Sequence, residues 1–149
     1  MSIVTGNITH DGATIVVFVG VSKRREEQLA KAGFKIPPTI AVCAQIDTGS
    51  FATVFMPKTF RALGVTPFST IKIRTPSTKP GEPCETDQYD VSVTLVSGIT
   101  QVVIPSVRAI ASDDFDADDG SVQALIGRDI LAGCVFEYFG LHTSFRLSF

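Results

Sequence analysis

The chain has 149 residues, 44% of them hydrophobic, which is enough for one domain with a core and too apolar for a disordered segment. Its 13 basic and 15 acidic residues leave a formal net charge of −2, so there is no electrostatic basis for binding nucleic acid or an anionic membrane. The three cysteines, Cys43, Cys84 and Cys134, are odd in number and far apart, which excludes a zinc site and a disulfide framework.

Residues 1–8 read as a short strand. Polar Asn7, Thr9, His10 and Asp11 interrupt any signal-peptide pattern. His10-Asp11-Gly12 is a turn, and residues 13–21 form a strong strand signal that is too short to span a bilayer. A soluble, cytoplasmic protein is the expectation. Residues 22–32 are predicted to be a loop with at most one helical turn, because Lys23, Arg24 and Arg25 oppose the positive end of a helix dipole. Pro37-Pro38 stops any helix there.

The next strand signal, with Thr39, Ile40, Val42 and Cys43, runs into Asp47-Thr48-Gly49-Ser50. Small and hydrogen-bonding residues suit a tight turn. An acid at the end of an apolar strand is costly to bury without partners. Two readings stay open at this point: Asp47 caps a turn in water, or it does chemistry.

Residues 51–55 are again extended and apolar. Pro57 suits a helix start and Gly64 its end, with Phe60 and Leu63 on one face. Ile71-Lys72-Ile73-Arg74 alternates as a half-exposed strand does. Residues 75–85 are polar and proline-rich, and Lys79-Pro80-Gly81-Glu82 carries Pro and Gly at the central positions of a type II turn. Tyr89, Val91, Val93 and Leu95 alternate with polar residues, so the arm and its flanks read as a long β-hairpin. Residues 102–104 and 107–110 are strand material, with Pro105 at an edge or bulge. The run of Asp113, Asp114, Asp116, Asp118 and Asp119 reads as a solvated acidic loop. Gly120 and Leu125 fall at the wrong places for a calcium loop. Residues 123–126 form an apolar strand that ends at Gly127, and a short helix opens with Arg128 and Asp129 and closes at Gly133. Val135-Phe136-Glu137-Tyr138 and residues 142–149 are the last strands.

The order of these parts carries a resemblance. Asp47-Thr48-Gly49-Ser50 matches the catalytic Asp-Thr-Gly-Ser/Ala motif of aspartic proteases. Leu125-Ile126-Gly127-Arg128-Asp129-Ile130-Leu131 resembles the apolar-apolar-Gly-Arg-Asp/Asn-Leu-Leu segment of the retropepsins, the single-domain retroviral-type members. Gln88-Tyr89-Asp90 resembles the stretch leaving their flap. The match covers about residues 40–149, and the extra length resembles a cellular or bacterial member.

The resemblance implies an all-β fold with one or two short helices, a closed acid-protease barrel of a single lobe. It divides residues 1–149 into N-terminal strands with an insertion loop (1–38) and a protease core (39–149). It implies an aspartic endopeptidase that acts on peptide or protein substrates with no cofactor and no metal. The chain has one Asp-Thr-Gly and no internal repeat, so the second carboxylate must come from a second copy, in a homodimer. By the same resemblance Thr48 braces the two turns, the Gly49 backbone contacts substrate, and the Ser50 hydroxyl bonds to Asp47. Pro80 and Gly81 lie at the flap tip. Val54 and Leu125 are pocket walls or plain core packing. Gly127 lets its strand pass close behind the turn, Arg128 is structural near the dimer contact, and Asp129 caps the helix. Residues 144–149 join either the dimer sheet or the monomer's own. His10 and His142 are isolated and take no catalytic role. Phe51 and Ala52 stand where many retroviral enzymes carry two acids, so substrate contacts differ there. The alternative function is a catalytically silent module of the same fold that binds peptides or dimerises.

Overall fold

The computed structural model describes residues 1–74, 79–115 and 122–149. The acidic run from Asp116 onward, and with it the calcium-loop comparison, lies outside the described residues, as do four residues of the proline-rich arm.

The first two strands, β1 (Ile3–Thr9) and β2 (Gly12–Val21), are joined by the His10-Asp11 turn, with Gly12 at φ +79°. β2 alternates, so Ala13, Ile15, Val17 and Val19 turn inward to the core. The strand β3 (Ile40–Ile46) pairs antiparallel with β2 from Thr14↔Gln45 to Val19↔Ile40. Next come β4 (Val54–Phe55), the helix α2 (Pro57–Leu63), β5 (Ser69–Ile73), β6 (Cys84–Ser97), β7 (Thr100–Ala111) and β8 (Ala124–Ile126). The short helix α3 (Arg128–Leu131), β9 (Val135–Phe139) and β10 (Ser144–Ser148) complete the chain.

Hydrogen bonding orders the strands β5-β6-β7-β4-β8-β3-β2-β1-β10-β9, and β6 also pairs with β2. That extra pairing, from Val17↔Leu95 to Val21↔Val91, closes a six-strand barrel of β2, β3, β8, β4, β7 and β6. Closure removes the edges that these strands would otherwise expose. The core is filled by inward residues of each strand, among them Val17, Val19, Val42, Val91, Val93, Leu95 and Ile126. Between β6 and β7 the register slips where Val91 faces Val107 and Val93 faces Ile104, so the expected irregularity at Pro105 is a bulge.

α2 starts at Pro57 and stops at Gly64, which adopts φ +64°. Its buried Phe60 stacks on Tyr89 with ring centroids 3.9 Å apart and meets Phe55 edge-on. Burial, and secondarily the nearby Asp87, pushes the Tyr89 phenol up.

The expectation of a loop at residues 22–32 is corrected. They hold a nine-residue helix, α1 (Lys23–Lys31), with no buried residue. Its stability is therefore local. Ser22 caps the start by accepting from the Arg25 N–H at 3.4 Å, and Glu26 offsets the basic first turn. At the other end Gly33, at φ +74°, lets its own N–H reach the Ala30 carbonyl and that of Phe34 reach Leu29. This double C-terminal cap and the Ser22 cap outweigh a dipole penalty of about 1 kcal/mol. Among the described residues there are thus three α-helices, where one or two were expected.

The C-terminal strand is also settled. β10 pairs with β1 on one side (Ile3↔Ser148 to Asn7↔Ser144) and with β9 on the other (Ser144↔Phe139 to Ser148↔Val135). Both its edges are filled within the chain, so β10 is a strand of the monomer's own sheet. Across β9 and β10, Arg146 forks onto Glu137, with Nη2 donating to Oε1 at 2.7 Å, and this bond holds the Glu137 carboxyl below its ordinary range.

β2 lines the barrel and closes it, and β1 pairs with β2 and β10, so the first 21 residues are built into the sheet and its core. A chain that begins at residue 39 is expected to lose the cooperative thermal transition of the parent, measured by circular dichroism.

Candidate functional site

β3 and β4 are joined by the segment that contains Asp47, yet they do not pair with each other. β8 runs between them, parallel to β3 (Ala44↔Ala124 to Ile46↔Ile126) and antiparallel to β4 (Val54↔Leu125, Phe55↔Ala124). The Asp47-Thr48-Gly49-Ser50 turn therefore stands off the sheet, with β8 behind it. Backbone bonds fix it on both sides: Asp47 N donates to Ile126 O at 3.0 Å, Ser50 N to Asp47 O at 3.2 Å, and Arg128 N to Ser50 O at 2.9 Å.

Asp47 is half-buried, and its Oδ1 accepts from Gly49 N at 2.8 Å. Its carboxylate thus points along the exposed lip of the turn, where Thr48 and Gly49 are open to solvent. The Ser50 hydroxyl goes elsewhere than expected. It donates to the Ala52 carbonyl at 2.6 Å, which leaves Asp47 without that partner.

Gly127 shows the closest packing in the site. A Cβ built on it would lie 2.4 Å from both the carbonyl carbon and the oxygen of Ala52, and 2.9 Å from Thr53 N. Its φ of −91° is open to any residue, so glycine is required here for space rather than for conformation.

Two residues, Thr53 and Asp129, hold this contact, a role that the sequence reading gave to neither. Asp129 was expected to cap the helix, but the N-cap position belongs to Gly127. Asp129 instead cross-links α3 to the segment after the turn. Its Oδ2 accepts from Thr53 N at 2.9 Å, and its Oδ1 accepts from Thr53 Oγ1 at 2.7 Å and from Ile130 N at 2.9 Å. Thr53 Oγ1 in turn accepts from Gly127 N at 3.2 Å. The signal in the sequence was Thr53, the one polar residue in an apolar run. A fully buried hydroxyl needs a partner. Asp129→Ala leaves three donors of this cluster without their acceptor, and bonds to a charged group contribute about 1.5–3 kcal/mol each. Allowing for water entry, the expected loss is about 3 kcal/mol, or about 10 °C in Tm by calorimetry.

The remaining candidates fall into three places. Val54 and Leu125 sit opposite each other across β4 and β8, in a small apolar cluster with Ala52, Ile110, Ile71 and Ile73. Two of those, Ile71 and Ile73, come from the hairpin strand β5, so the base of the hairpin packs beside the Asp47 turn. At its far end the Lys79-Pro80-Gly81-Glu82 turn has Gly81 at φ +84° and Glu82 N donating to Lys79 O at 3.1 Å, the geometry of a type II turn. Pro80 and Gly81 are both exposed. The Arg128 side chain is exposed, and its backbone is what ties it to the turn. Among the described residues, no group of three or more His, Cys, Asp and Glu side chains gathers to hold a metal. No helix there is long and apolar enough to cross a membrane.

No protein-family model and no curated protein sequence matches the chain. Among solved structures it is similar to a retropepsin-like aspartic protease from Rickettsia conorii, with a TM-score of 0.58 over 99% of this chain and 91% of that one. Sequence identity is 15%, so the likeness is one of fold. A closed barrel in which the Asp-Thr-Gly-Ser turn is backed by the Ile126-Gly127 strand is therefore the single-lobe retropepsin-like fold.

Proposed function

We propose that this chain is an aspartic endopeptidase of the retropepsin type that works as a homodimer. The observation that carries the reading is the placement of Asp47. Its carboxylate stands half-exposed at the lip of a rigid turn, held by a backbone N–H, on a fold shared with a retropepsin-like protease. An acid placed only to cap a turn would need neither the strand behind it nor the close passage of Gly127.

Hydrolysis by this route takes two carboxylates that share one proton and hold a water between them. Like charges that near do not both ionise easily, so one acts as base on the water while the other, protonated, polarises the scissile carbonyl. One chain supplies one such carboxylate, and the twofold-related Asp47 supplies the other. Thr48, exposed at the lip, braces the two turns, and the Gly49 backbone lies along the substrate. The hairpin that ends at Pro80 and Gly81 covers an extended peptide, with Val54 and Leu125 as apolar walls beneath it. Phe51 and Ala52 bring no acid to that cleft, so recognition of the peptide rests on backbone bonds and apolar contact.

The test is hydrolysis of a mixed peptide library between about pH 4 and 7, where one carboxyl of the pair is protonated. A statine-type mimic of the tetrahedral intermediate is expected to block it. Cleavage that the mimic leaves untouched would sink the shared-carboxylate mechanism. A folded dimer with no cleavage at any pH would leave the silent peptide-binding module as the reading.

A further inference from the structure

In the pairing of β6 with β7, Gln88 stands opposite Ile110 and Asp90 opposite Arg108. Gln88 and Arg108 are therefore diagonal neighbours on one face of the strand pair, about 7–8 Å apart at the backbone. A groove of about 390 Å³ lies between them and the segment that follows the Asp47 turn. Buried Ala52 and Ile130 and half-buried Ile104 form its apolar lining, and Phe51, 46% exposed, flanks it.

The polar groups on this groove are not equivalent. Among the described residues Arg108 makes no ion pair; Asp90, its neighbour in the register, accepts from the Ser106 hydroxyl at 2.6 Å instead. Gln88 is held by its oxygen. The Ser69 hydroxyl donates to Oε1 at 2.9 Å, and among the described residues the Nε2 hydrogens have no acceptor. Asp129 also borders the groove, but both its oxygens are engaged by Thr53 and Ile130. The turn itself adds no charge, since Phe51 and Ala52 are apolar. The groove thus offers two spare donors, one of them cationic, beside an apolar lining. It also lies within reach of the chemistry. Phe51 is four residues after Asp47, so at most about 3.6 Å per residue puts it within about 14 Å. Ala52 belongs as well to the cluster with Val54 and Leu125, so the groove continues the proposed cleft outward.

Resting on the proposed function, we infer that this groove takes an acidic side chain of the substrate, Asp or Glu, and that Arg108 selects it. An extended peptide advances about 3.3 Å per residue, so the acid sits three or four residues from the scissile bond. The Arg108 guanidinium forks onto the carboxylate, and the Gln88 amide donates to one of its oxygens. The methylenes of the acid lie along Ile104 and Phe51. This adds one charged contact to the backbone and apolar ones of the cleft. A Lys or Arg at the same position meets like charge and is rejected.

The experiment uses the full chain at about pH 6, where a glutamate side chain is ionised. A peptide library is made twice, once with Glu and once with Gln in its place. For matched peptides that differ at the third or fourth residue from the cleaved bond, kcat/KM of the parent is expected to favour Glu by about tenfold or more, carried by KM. Arg108→Gln is expected to bring the ratio to about one, and Arg108→Glu to favour Lys at that position. Arg24→Gln, in the exposed helix α1, removes the same charge and is expected to keep the parental ratio. Circular dichroism checks that each variant is folded. Binding of the two libraries to Asp47→Asn, by fluorescence anisotropy, reads the groove without the chemistry. Cleavage with no preference for Glu, or with a preference that survives in folded Arg108→Gln, overturns the acidic subsite and leaves the enzymatic reading standing. Glu-selective binding that Arg108→Gln abolishes, with no cleavage by the parent at any pH, supports the subsite and removes the enzymatic reading. Neither cleavage nor binding overturns both.

Discussion

Asp47→Asn is expected to lower peptide hydrolysis by about 10²–10⁴-fold, the range for removing a positioned acid–base group. The substitution is chosen because it separates chemistry from structure. Among the described residues the Asp47 side chain makes one bond, Oδ1 accepting from Gly49 N at 2.8 Å, and an asparagine Oδ1 can accept the same bond. The turn is otherwise fixed by backbone bonds to Ile126 and Arg128. Tm should stay within about 3 °C of the parent, the shift that about 1 kcal/mol makes in a chain of this size. Mixing gives a second readout. If two copies share the catalytic pair, an equilibrated equimolar mixture of parent and variant has about a quarter of its dimers fully parental. Activity then falls to about that fraction rather than to about half. A value near half would mean that each chain acts alone.

Gly127→Ala is expected to destabilise the fold by at least about 3 kcal/mol, in the upper range for overpacking, because the new methyl meets backbone instead of a side chain that could swing away. The Cβ would lie 2.4 Å from the Ala52 carbonyl carbon and oxygen. Relief requires β8 and the segment after the turn to part. That parting stretches the Gly127 N to Thr53 Oγ1 bond and the Thr53–Asp129 pair with it. A control lies six residues on. A Cβ at Gly133 meets only the Ile130 carbonyl oxygen, at 3.7 Å, and Gly133 has no positive φ. Gly133→Ala should therefore be neutral or stabilise by up to about 1 kcal/mol through the unfolded chain. Thermal denaturation of the two variants side by side checks the contrast. Equal stability would mean that space at Gly127 is not what the fold requires.

The two glycines differ in how legible they were. A glycine between an apolar strand and a helix start reads as a boundary from either end of the chain. That Gly127 passes within contact of Ala52, seventy-five residues earlier, depends on β8 lying between β3 and β4. The same holds for Thr53 and Asp129, 76 residues apart in sequence and bonded twice. Asp129 was open to reading as a helix cap because capping is local chemistry. Its actual partner was set by topology. α1 went the other way. Its basic first turn counted against a helix, while Ser22 and the Gly33 cap were present in the sequence and worth more together.

Local chemistry by itself determined the turns and the short elements. Pro80-Gly81 had to make its turn because only glycine takes the second central position cheaply, and Pro57 and Gly64 had to bound a helix. Alternation fixed which residues of β2 and β6 face inward, since a strand turns successive side chains to opposite faces. Asp47-Thr48-Gly49-Ser50 was legible as a turn for the same reason. Tertiary structure alone decided that β2 and β6 close the barrel and that β8 backs the turn. It also decided that β10 is enclosed, with β1 on one side and β9 on the other. Those choices are made by which strands bury the most apolar surface against one another, a property of the assembled sheet rather than of any one segment.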